Sequence, residues 1–194
     1  MKKIAVFLDR DGTINEDVGY PSSFDQIKIF PYSFEAIKKI NEAGLLAIIV
    51  TNQSGIARGF FTEKDLLKIH EKMQEVFMQH GAHFDAIYYC PHYSFTSLGS
   101  SNICKCRKPL PGMAQKAAKD FNIDLKKSYM IGDKIEDILF GINIGAKSIL
   151  VLTGFGESAL FQLKETGIRP SYIANNLLEA VNWILIDLNK IKKE

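Results

Sequence analysis

Short apolar runs alternate with segments of helical periodicity along almost the whole chain. The sequence predicts strands over residues 3–8, 45–50, 86–89, 128–131, 148–152 and, at one edge, 172–174. It predicts helices over residues 33–43, 63–79, 112–121, 135–144 and 177–191, and irregular structure over 91–111 and 153–171. Such alternation implies an α/β fold: a three-layer sandwich whose Rossmann-like parallel sheet carries helices on both faces.

Composition and charge exclude several classes of protein. The chain has 194 residues, enough for one sizeable core, and we expect a single domain over residues 1–194. With 24 Lys and Arg against 22 Asp and Glu, the formal charge is +2. That charge is too small to favour binding of nucleic acid or an anionic membrane, whereas a small anionic substrate needs only a few local cations.

The apolar run near the amino terminus predicts neither export nor membrane insertion. It covers only residues 4–8 and ends at Asp9, which is too short for a signal peptide or a membrane span. We therefore expect a cytoplasmic protein that does not contact membranes. In that compartment the 3 cysteines should be thiols, metal ligands or catalysts rather than disulfides.

Polar clusters follow three of the predicted strands, at the edge of the sheet where ligands bind in such folds. Asp9 and Asp11 lie two residues apart in an extended segment, so their carboxylates point the same way and repel each other. With Asp133 they form an oxygen-rich set suited to Mg²⁺. A lone Asp-x-Asp is more often a turn cap served by a glycine such as Gly12, and Asp133 is what favours the metal site.

A second cluster unites all the cysteines with one histidine. Three thiolates and one imidazole form the closed tetrahedral set of a structural Zn²⁺ site; the residues are Cys90, His92, Cys104 and Cys106. The predicted zinc-binding loop covers about residues 90–106. Metal binding there would contribute folding energy to a segment with little apolar content, and would fix the neighbouring Arg107 and Lys108.

Two alternatives to this zinc site are open. The thiols could be buried and free beside an incidental histidine, or the segment could be a zinc ribbon for nucleic acid. Residues 93–103 contain no Lys or Arg, which disfavours the ribbon. The other histidines, His70, His80 and His83, are expected at the surface rather than among the ligands.

Four segments resemble, in order and spacing, the signatures of the haloacid dehalogenase (HAD) superfamily of phosphatases. The similar segments are Asp9 to Asn15, Thr51-Asn52, Lys108-Pro109 and Gly132 to Asp137. Within the superfamily, the whole chain is most similar to the subfamily that acts on heptose bisphosphates and histidinol phosphate. The resemblance implies a HAD-like fold and a Mg²⁺-dependent phosphatase.

The resemblance also assigns roles to the acidic residues. Asp9 would be the nucleophile that forms an aspartyl-phosphate, and Asp11 the general acid and base. Mg²⁺ would be held by the side chains of Asp9 and Asp133 and by the backbone carbonyl of Asp11. Asp137 is expected to be structural, holding the loop or Lys108.

Further residues are expected to contact the substrate. Thr51, Asn52 and Lys108 would bind the transferring phosphoryl group, and Arg107 a hydroxyl pair or a second phosphate. Lys134 would face the same crevice. The family pattern also directs a set of loop residues at the substrate: Asp17, Val18, Gly19, Tyr20, Gln53 and Ser54.

The spacing of the signatures leaves no room for a large cap domain, so the site should be open and its specificity set by loops. We expect hydrolysis of the 7-phosphate of a D-glycero-D-manno-heptose 1,7-bisphosphate, in the biosynthesis of nucleotide-activated heptose. A histidinol-phosphate phosphatase is the alternative enzyme, and a non-catalytic zinc-stabilised binding module is the alternative outside enzymes. The resemblance implies a monomer.

Overall fold

One parallel sheet forms the centre of the protein in a computed structural model that describes residues 2–93 and 104–191. Its strands are β1 (Ala5–Leu8), β2 (Leu46–Asn52), β3 (Ala86–Cys90), β4 (Tyr129–Gly132), β5 (Lys147–Val151) and β6 (Tyr172–Ala174). Their order across the sheet is β3-β2-β1-β4-β5-β6, and all neighbours are parallel. The predicted Rossmann-like sheet is confirmed.

Helices cover both faces of the sheet and complete the three predicted layers. They are α1 (Pro31–Glu42), α2 (Glu63–Gln79), α3 (Gly112–Phe121), α4 (Ile135–Asn143), α5 (Gly156–Thr166) and α6 (Leu177–Ile191). Successive side chains of β1 point to opposite faces of the sheet, as in any pleated strand. Val6 and Leu8 pack with α1, α2 and α6, whereas Ala5 and Phe7 pack with α3 and α4.

The helix α5 corrects the sequence prediction, which left residues 153–171 irregular. A narrow apolar stripe packs from α5 against α4 and β5, with Ala159 and Leu163 buried and Leu160 partly buried. A glycine begins the helix, and Gly167 ends it in the left-handed conformation with a φ of 70°. Glycines at both ends and so few apolar positions are also typical of a loop, which is why the periodicity was not recognised.

The connections that could hold a cap domain contain little structure. Between β1 and β2 lie a short 3₁₀ turn (Phe24–Gln26) and α1, and between β2 and α3 the described residues add α2 and β3 alone. Among the described residues there is thus no large cap domain, as predicted. No helix in the described ranges is long and apolar enough to cross a membrane.

The strand order reverses between β1 and β4, which is the topological switch point of the sheet. These two strands are neighbours, with Leu8 paired to Ile131, while β2 and β3 lie on one side and β5 and β6 on the other. Loops that leave the carboxyl ends of β1 and β4 therefore diverge and open a crevice, the usual ligand position in such sheets. The predicted site residues follow these ends.

Candidate active site

Three carboxylates meet at the head of the crevice. The backbone N–H of Asp9 donates to the carbonyl of Ile131 at 2.9 Å, which extends the β1–β4 pairing by one residue and places Asp9 beside Asp133. Asp9, Asp133 and Asp137 are buried, and each offers an oxygen atom within 4.8 Å of the others. The structure thus brings together Asp9 and Asp133 as the sequence predicts, and Asp137 completes the cluster. The carboxylate of Asp11, which the sequence predicts in this set, is not part of it because it pairs with Arg10.

The surroundings of Asp133 fit a divalent cation. One carboxylate oxygen accepts the N–H of Phe155 at 2.8 Å, while the other, Oδ1, is buried without a hydrogen-bond partner. Burial, then the charges of Asp9 and Asp137, raise the pKa of Asp133 to about 8. Bound Mg²⁺ would relieve this crowding and use the unpartnered oxygen, so the residues present fit the predicted metal.

Lys108 is the buried cation of the site. Its Nζ lies 2.7 Å from an oxygen of Asp9 and 2.6 Å from an oxygen of Asp137. Burial opposes the charge of this ammonium, but the two carboxylates outweigh it and raise the pKa of Lys108. Asp137 also accepts the backbone N–H of Lys134 at 3.0 Å. Its contacts are those of the structural residue that the sequence predicts, although it also lies within reach of the metal cluster.

Asp11 lines the crevice with its carboxylate held by several donors. Arg10 donates from Nε and Nη2 at 2.9 and 2.6 Å, Asn15 at 3.0 Å and Gln53 at 2.9 Å. Burial opposes ionisation, but the charge and hydrogen bonds of Arg10 outweigh it and lower the pKa of Asp11. The sequence analysis assigned nothing to Arg10, because a charged residue between two aspartates gives no sign of being buried.

His70 does not lie at the surface, where the sequence analysis placed it. It projects inward from α2, is 5% exposed, and its Nε2 lies 3.4 Å from Nη1 of Arg10. His70 lies on the same apolar face of α2 as Leu66, Ile69 and Met73. This position in the helical repeat is the one signal in the sequence that could have indicated its burial.

The end of β2 supplies polar groups beside the carboxylates. Thr51 is buried, and its hydroxyl accepts from the amide of Gln53 at 2.9 Å. The side chain of Asn52 accepts the N–H of Lys108 at 3.0 Å and donates to its carbonyl at 3.3 Å. Asn52 thus fixes the backbone that carries Lys108, while Gln53 bridges Thr51 and Asp11 with its side chain.

An open cleft of about 380 Å³ lies over these groups. Most of the predicted substrate-contact residues line this cleft, including Asp17, Gly19, Tyr20, Ser54, Arg107 and Lys134, which we call its rim. Gly55, Glu136 and Phe155 also line it, and the sequence did not predict them. Val18 is not among the lining residues, and its side chain is exposed instead. Asp17 and Lys134 pair across the rim at 2.9 Å.

The predicted zinc ligands converge at the end of β3. Their ligand atoms lie within 4.8 Å of one another, and the three sulfur–sulfur distances are 3.1, 3.2 and 3.6 Å; the residues are Cys90, His92, Cys104 and Cys106. Nδ1 of His92 is 3.5 Å from the sulfur of Cys90 and 3.4 Å from that of Cys106. All three cysteines are free thiols, and this arrangement is compatible with a tetrahedral zinc site.

The cluster needs a cation before its thiols can all ionise. Burial, then the hydrogen bond with Cys106, raise the pKa of Cys90, and the pKa of Cys106 is also raised. For Cys104, hydrogen bonds from Cys106 and the backbone outweigh burial and lower the pKa to about 7. A metal ion that binds thiolates would supply the missing positive charge. Next to the cluster, Arg107 donates to the carbonyl of His92 at 3.0 Å.

Fold and site together define a phosphatase of the HAD-like class, with its acidic residues at the β1–β4 switch point. A family model described as HAD-hydrolase-like matches residues 105–180. The D-glycero-beta-D-manno-heptose-1,7-bisphosphate 7-phosphatase of Haemophilus ducreyi is 41% identical over 186 residues, 95% of this chain and 100% of the relative. The phosphatase of the same description from Pasteurella multocida is 46% identical over 155 residues, 79% of this chain and 84% of the relative.

A solved structure agrees with these relatives. The D,D-heptose 1,7-bisphosphate phosphatase from B. bronchiseptica, complexed with magnesium and phosphate, superposes with a TM-score of 0.82 at 35% identity. It matches 96% of this chain, and this chain matches 99% of it. The chain belongs to the heptose-1,7-bisphosphate 7-phosphatase family of the HAD superfamily, and it is a phosphoric monoester hydrolase. Phosphatases of this superfamily use Mg²⁺.

Proposed function

We propose that the protein removes the 7-phosphate from D-glycero-β-D-manno-heptose 1,7-bisphosphate in the biosynthesis of nucleotide-activated heptose. The observation that carries the proposal is the position of Asp9, between the buried ammonium of Lys108 and the unpartnered oxygen of Asp133. The names of the relatives support the substrate, and most of them specify the β anomer. The same names favour heptose bisphosphate over histidinol phosphate.

The reaction divides between two carboxylates. An oxygen of Asp9 attacks phosphorus while the bond from phosphorus to the sugar oxygen breaks. The protonated form of Asp11, which the lowered pKa keeps a minority near neutral pH, gives that oxygen its proton. Water then attacks the aspartyl-phosphate, Asp11 takes a proton from the water, and phosphate leaves with Asp9 restored. Both side chains line the cleft, and the donors around Asp11 hold its carboxylate in a fixed plane.

Positive charge is needed before an anionic carboxylate can approach an anionic phosphate. At about 4 Å and an effective dielectric constant of about 20, one such repulsion amounts to about 4 kcal/mol. Mg²⁺ held by Asp9, Asp133 and the Asp11 carbonyl would supply most of the compensating charge when bound. Lys108 adds its ammonium, and the hydroxyl of Thr51 and the backbone N–H of Asn52 would bind phosphate oxygens.

The zinc site has a structural role in this proposal. Cys90 is the last residue of β3, and Cys104 and Cys106 precede Arg107, so a bound Zn²⁺ would tie the end of the sheet to the segment that carries the phosphate-binding cations. Arg107 and Lys134 lie on the rim of the open cleft. They are the groups that we assign to the second phosphate or to the sugar hydroxyls.

Phosphate release from a panel of esters tests the proposal. With Mg²⁺, the wild-type protein should turn over the β-heptose bisphosphate faster than its α anomer and far faster than histidinol phosphate. Asp9→Asn preserves the shape of the side chain and should lower kcat by about a thousandfold or more, because the nucleophile is lost. The control, Asp187→Asn, changes a part-buried carboxylate that contacts Lys147 and Tyr129 but does not line the cleft, and it should leave kcat unchanged.

Preference for histidinol phosphate would overturn the substrate, and wild-type turnover in Asp9→Asn would overturn the nucleophile. Absence of turnover with every ester would instead favour the non-catalytic binding module. A monomeric state and a cytoplasmic location remain predictions from the sequence.

A further inference from the structure

His70 lies behind the acid–base candidate Asp11, and the proposed reaction gives it no role. We infer that His70 is a positioning residue for the carboxylate of Asp11 and that it acts through the guanidinium of Arg10. The inference rests on the proposed function insofar as Asp11 transfers a proton to and from the leaving oxygen.

The orientation of Asp11 depends on Arg10. Arg10 is 0% exposed, although an arginine keeps its charge at every physiological pH. A buried cation is destabilising unless its charge and its N–H groups find partners. Nε and Nη2 of Arg10 each donate to a different oxygen of Asp11, a two-pronged contact that fixes the plane of the carboxylate. Any rotation of the guanidinium therefore rotates the carboxylate with it.

His70 contacts the remaining nitrogen of the guanidinium. Nη1 of Arg10 lies 3.4 Å from Nε2 of His70, a long hydrogen bond in which arginine can only donate. Nε2 must then be the acceptor, which requires a neutral ring with its proton on Nδ1. Burial, and after it the charge of Arg10, lower the pKa of His70 to about 3, so the ring stays neutral at physiological pH.

The ring of His70 is itself held in place. It is 5% exposed on the inner side of α2 and packs at a tilt of 57° against the ring of Tyr89, with the centroids 5.8 Å apart. Asn15 and Gln53 also donate to Asp11, so loss of His70 would tilt the carboxylate without releasing it. Because general acid catalysis contributes about a hundredfold to ten-thousandfold, we expect a partial loss of about tenfold.

Substrates that differ in their leaving group separate positioning from general damage. His70→Phe keeps a ring and removes the acceptor, whereas His70→Gln keeps an acceptor oxygen. With the heptose bisphosphate, whose sugar oxygen must be protonated as it leaves, His70→Phe should lower kcat/KM about tenfold. With p-nitrophenyl phosphate, whose phenolate leaves without a proton, kcat/KM should change less than about twofold. His70→Gln should restore most of the loss.

Met73→Ala is the matched control, because Met73 is buried on the same side of α2 and makes no hydrogen bond with Arg10, whose side-chain partners are Asp11 and His70. It should lower the unfolding temperature while leaving the ratio of the two kcat/KM values unchanged. Equal losses on both substrates in His70→Phe, or no loss on either, would overturn the inference. If His70→Phe fails to fold, Arg10→Lys tests the same contacts, since one ammonium cannot span both oxygens of Asp11, and should show the same selective loss.

The proposed function can fail separately from this inference. If the wild-type protein does not cleave the heptose bisphosphate, the substrate assignment falls. The ratio is then measured between p-nitrophenyl phosphate and an alkyl phosphate such as glycerol phosphate, and the same selective loss in His70→Phe is expected.

Discussion

Two glycines determine how closely the loops after β1 and β5 approach Asp133. Gly12 has a φ of +87° and Gly154 a φ of +56°, and a Cβ atom on either would overlap the Asp133 carboxylate. Both positions therefore need glycine for two reasons, the backbone conformation and the absence of a side chain. On this side the Asp133 carboxylate is enclosed by backbone atoms, which hold it in place without a side-chain partner.

Gly12→Ala should abolish activity by displacing Asp133. Gly44→Ala is the matched control, because Gly44 also has a positive φ, of +71°, but has open space where a Cβ atom would lie. The control should lose about 1 kcal/mol of unfolding free energy from backbone strain alone, with activity intact. Chemical denaturation and phosphate release measure the two effects. If both variants keep activity, close approach to Asp133 is not needed.

His70 also predicts how stability depends on pH. Its pKa is about 3 in the folded protein against 6.5 for the free side chain, so between these values the unfolded chain binds more protons. The unfolding free energy should therefore fall as the pH drops below 6.5, by up to about 1.4 kcal/mol per pH unit from this residue. Denaturant unfolding of the wild type and of His70→Gln, each at about pH 7 and about pH 5.5, measures this contribution of His70 to the unfolding free energy. If both proteins lose the same unfolding free energy between these pH values, the prediction is wrong.

The sequence predicts single residues well where a strand end fixes their position. Asp9 and Asp133 each follow a parallel strand and Thr51 lies near the end of another, and the carboxyl ends of such strands meet at one edge whatever the details of packing. The inward position of Arg10 and His70 was not predictable in this way. Both depend on a contact between the loop after β1 and a face of α2, two segments about sixty residues apart.

At the scale of elements, most boundaries follow from local signals. Thr62 caps α2 by accepting the N–H of Asp65 at 3.2 Å, and the helix has the predicted bounds. The strands were recognised because both of their faces are buried, which gives continuous apolar runs. The helix α5 was missed because it lies mostly on the surface and buries too few side chains to produce a period.

Loss of one proposed zinc ligand should affect the segment that carries the proposed phosphate-binding cations. Cys104→Ser is expected to lower the zinc content of the purified protein, to lower its unfolding temperature and to raise KM, because Arg107 and Lys108 follow the cluster directly. Lys105→Ser, a substitution of an exposed residue between two ligands, is the control. Metal analysis, thermal unfolding and kinetics measure the three effects. Full zinc content and normal KM in Cys104→Ser would refute the four-ligand site.

For the whole molecule, magnesium should act as a stabilising ligand. Asp9, Asp133 and Asp137 crowd one another, and the ammonium of Lys108 offsets only part of their charge, so Mg²⁺ at about a hundred times its Kd should add about 2.7 kcal/mol to the unfolding free energy. Asp133→Asn removes one proposed ligand and a carboxyl group whose ionisation the neighbouring carboxylates oppose. It should be at least as stable as the wild type without Mg²⁺ and should not respond to it. An equal response in both proteins would exclude Asp133 as a ligand.

The central pairing of β1 with β4 links catalysis to completion of the fold. The proposed nucleophile follows β1, the proposed phosphate-binding hydroxyl lies near the end of β2 and the proposed cation ligand follows β4, so residues from both halves of the chain must dock before any of them can act. Neither half of the polypeptide alone can form even a weakened version of this centre. Recovery of turnover during refolding should therefore lag behind the appearance of helical structure and coincide with the joining of the two halves.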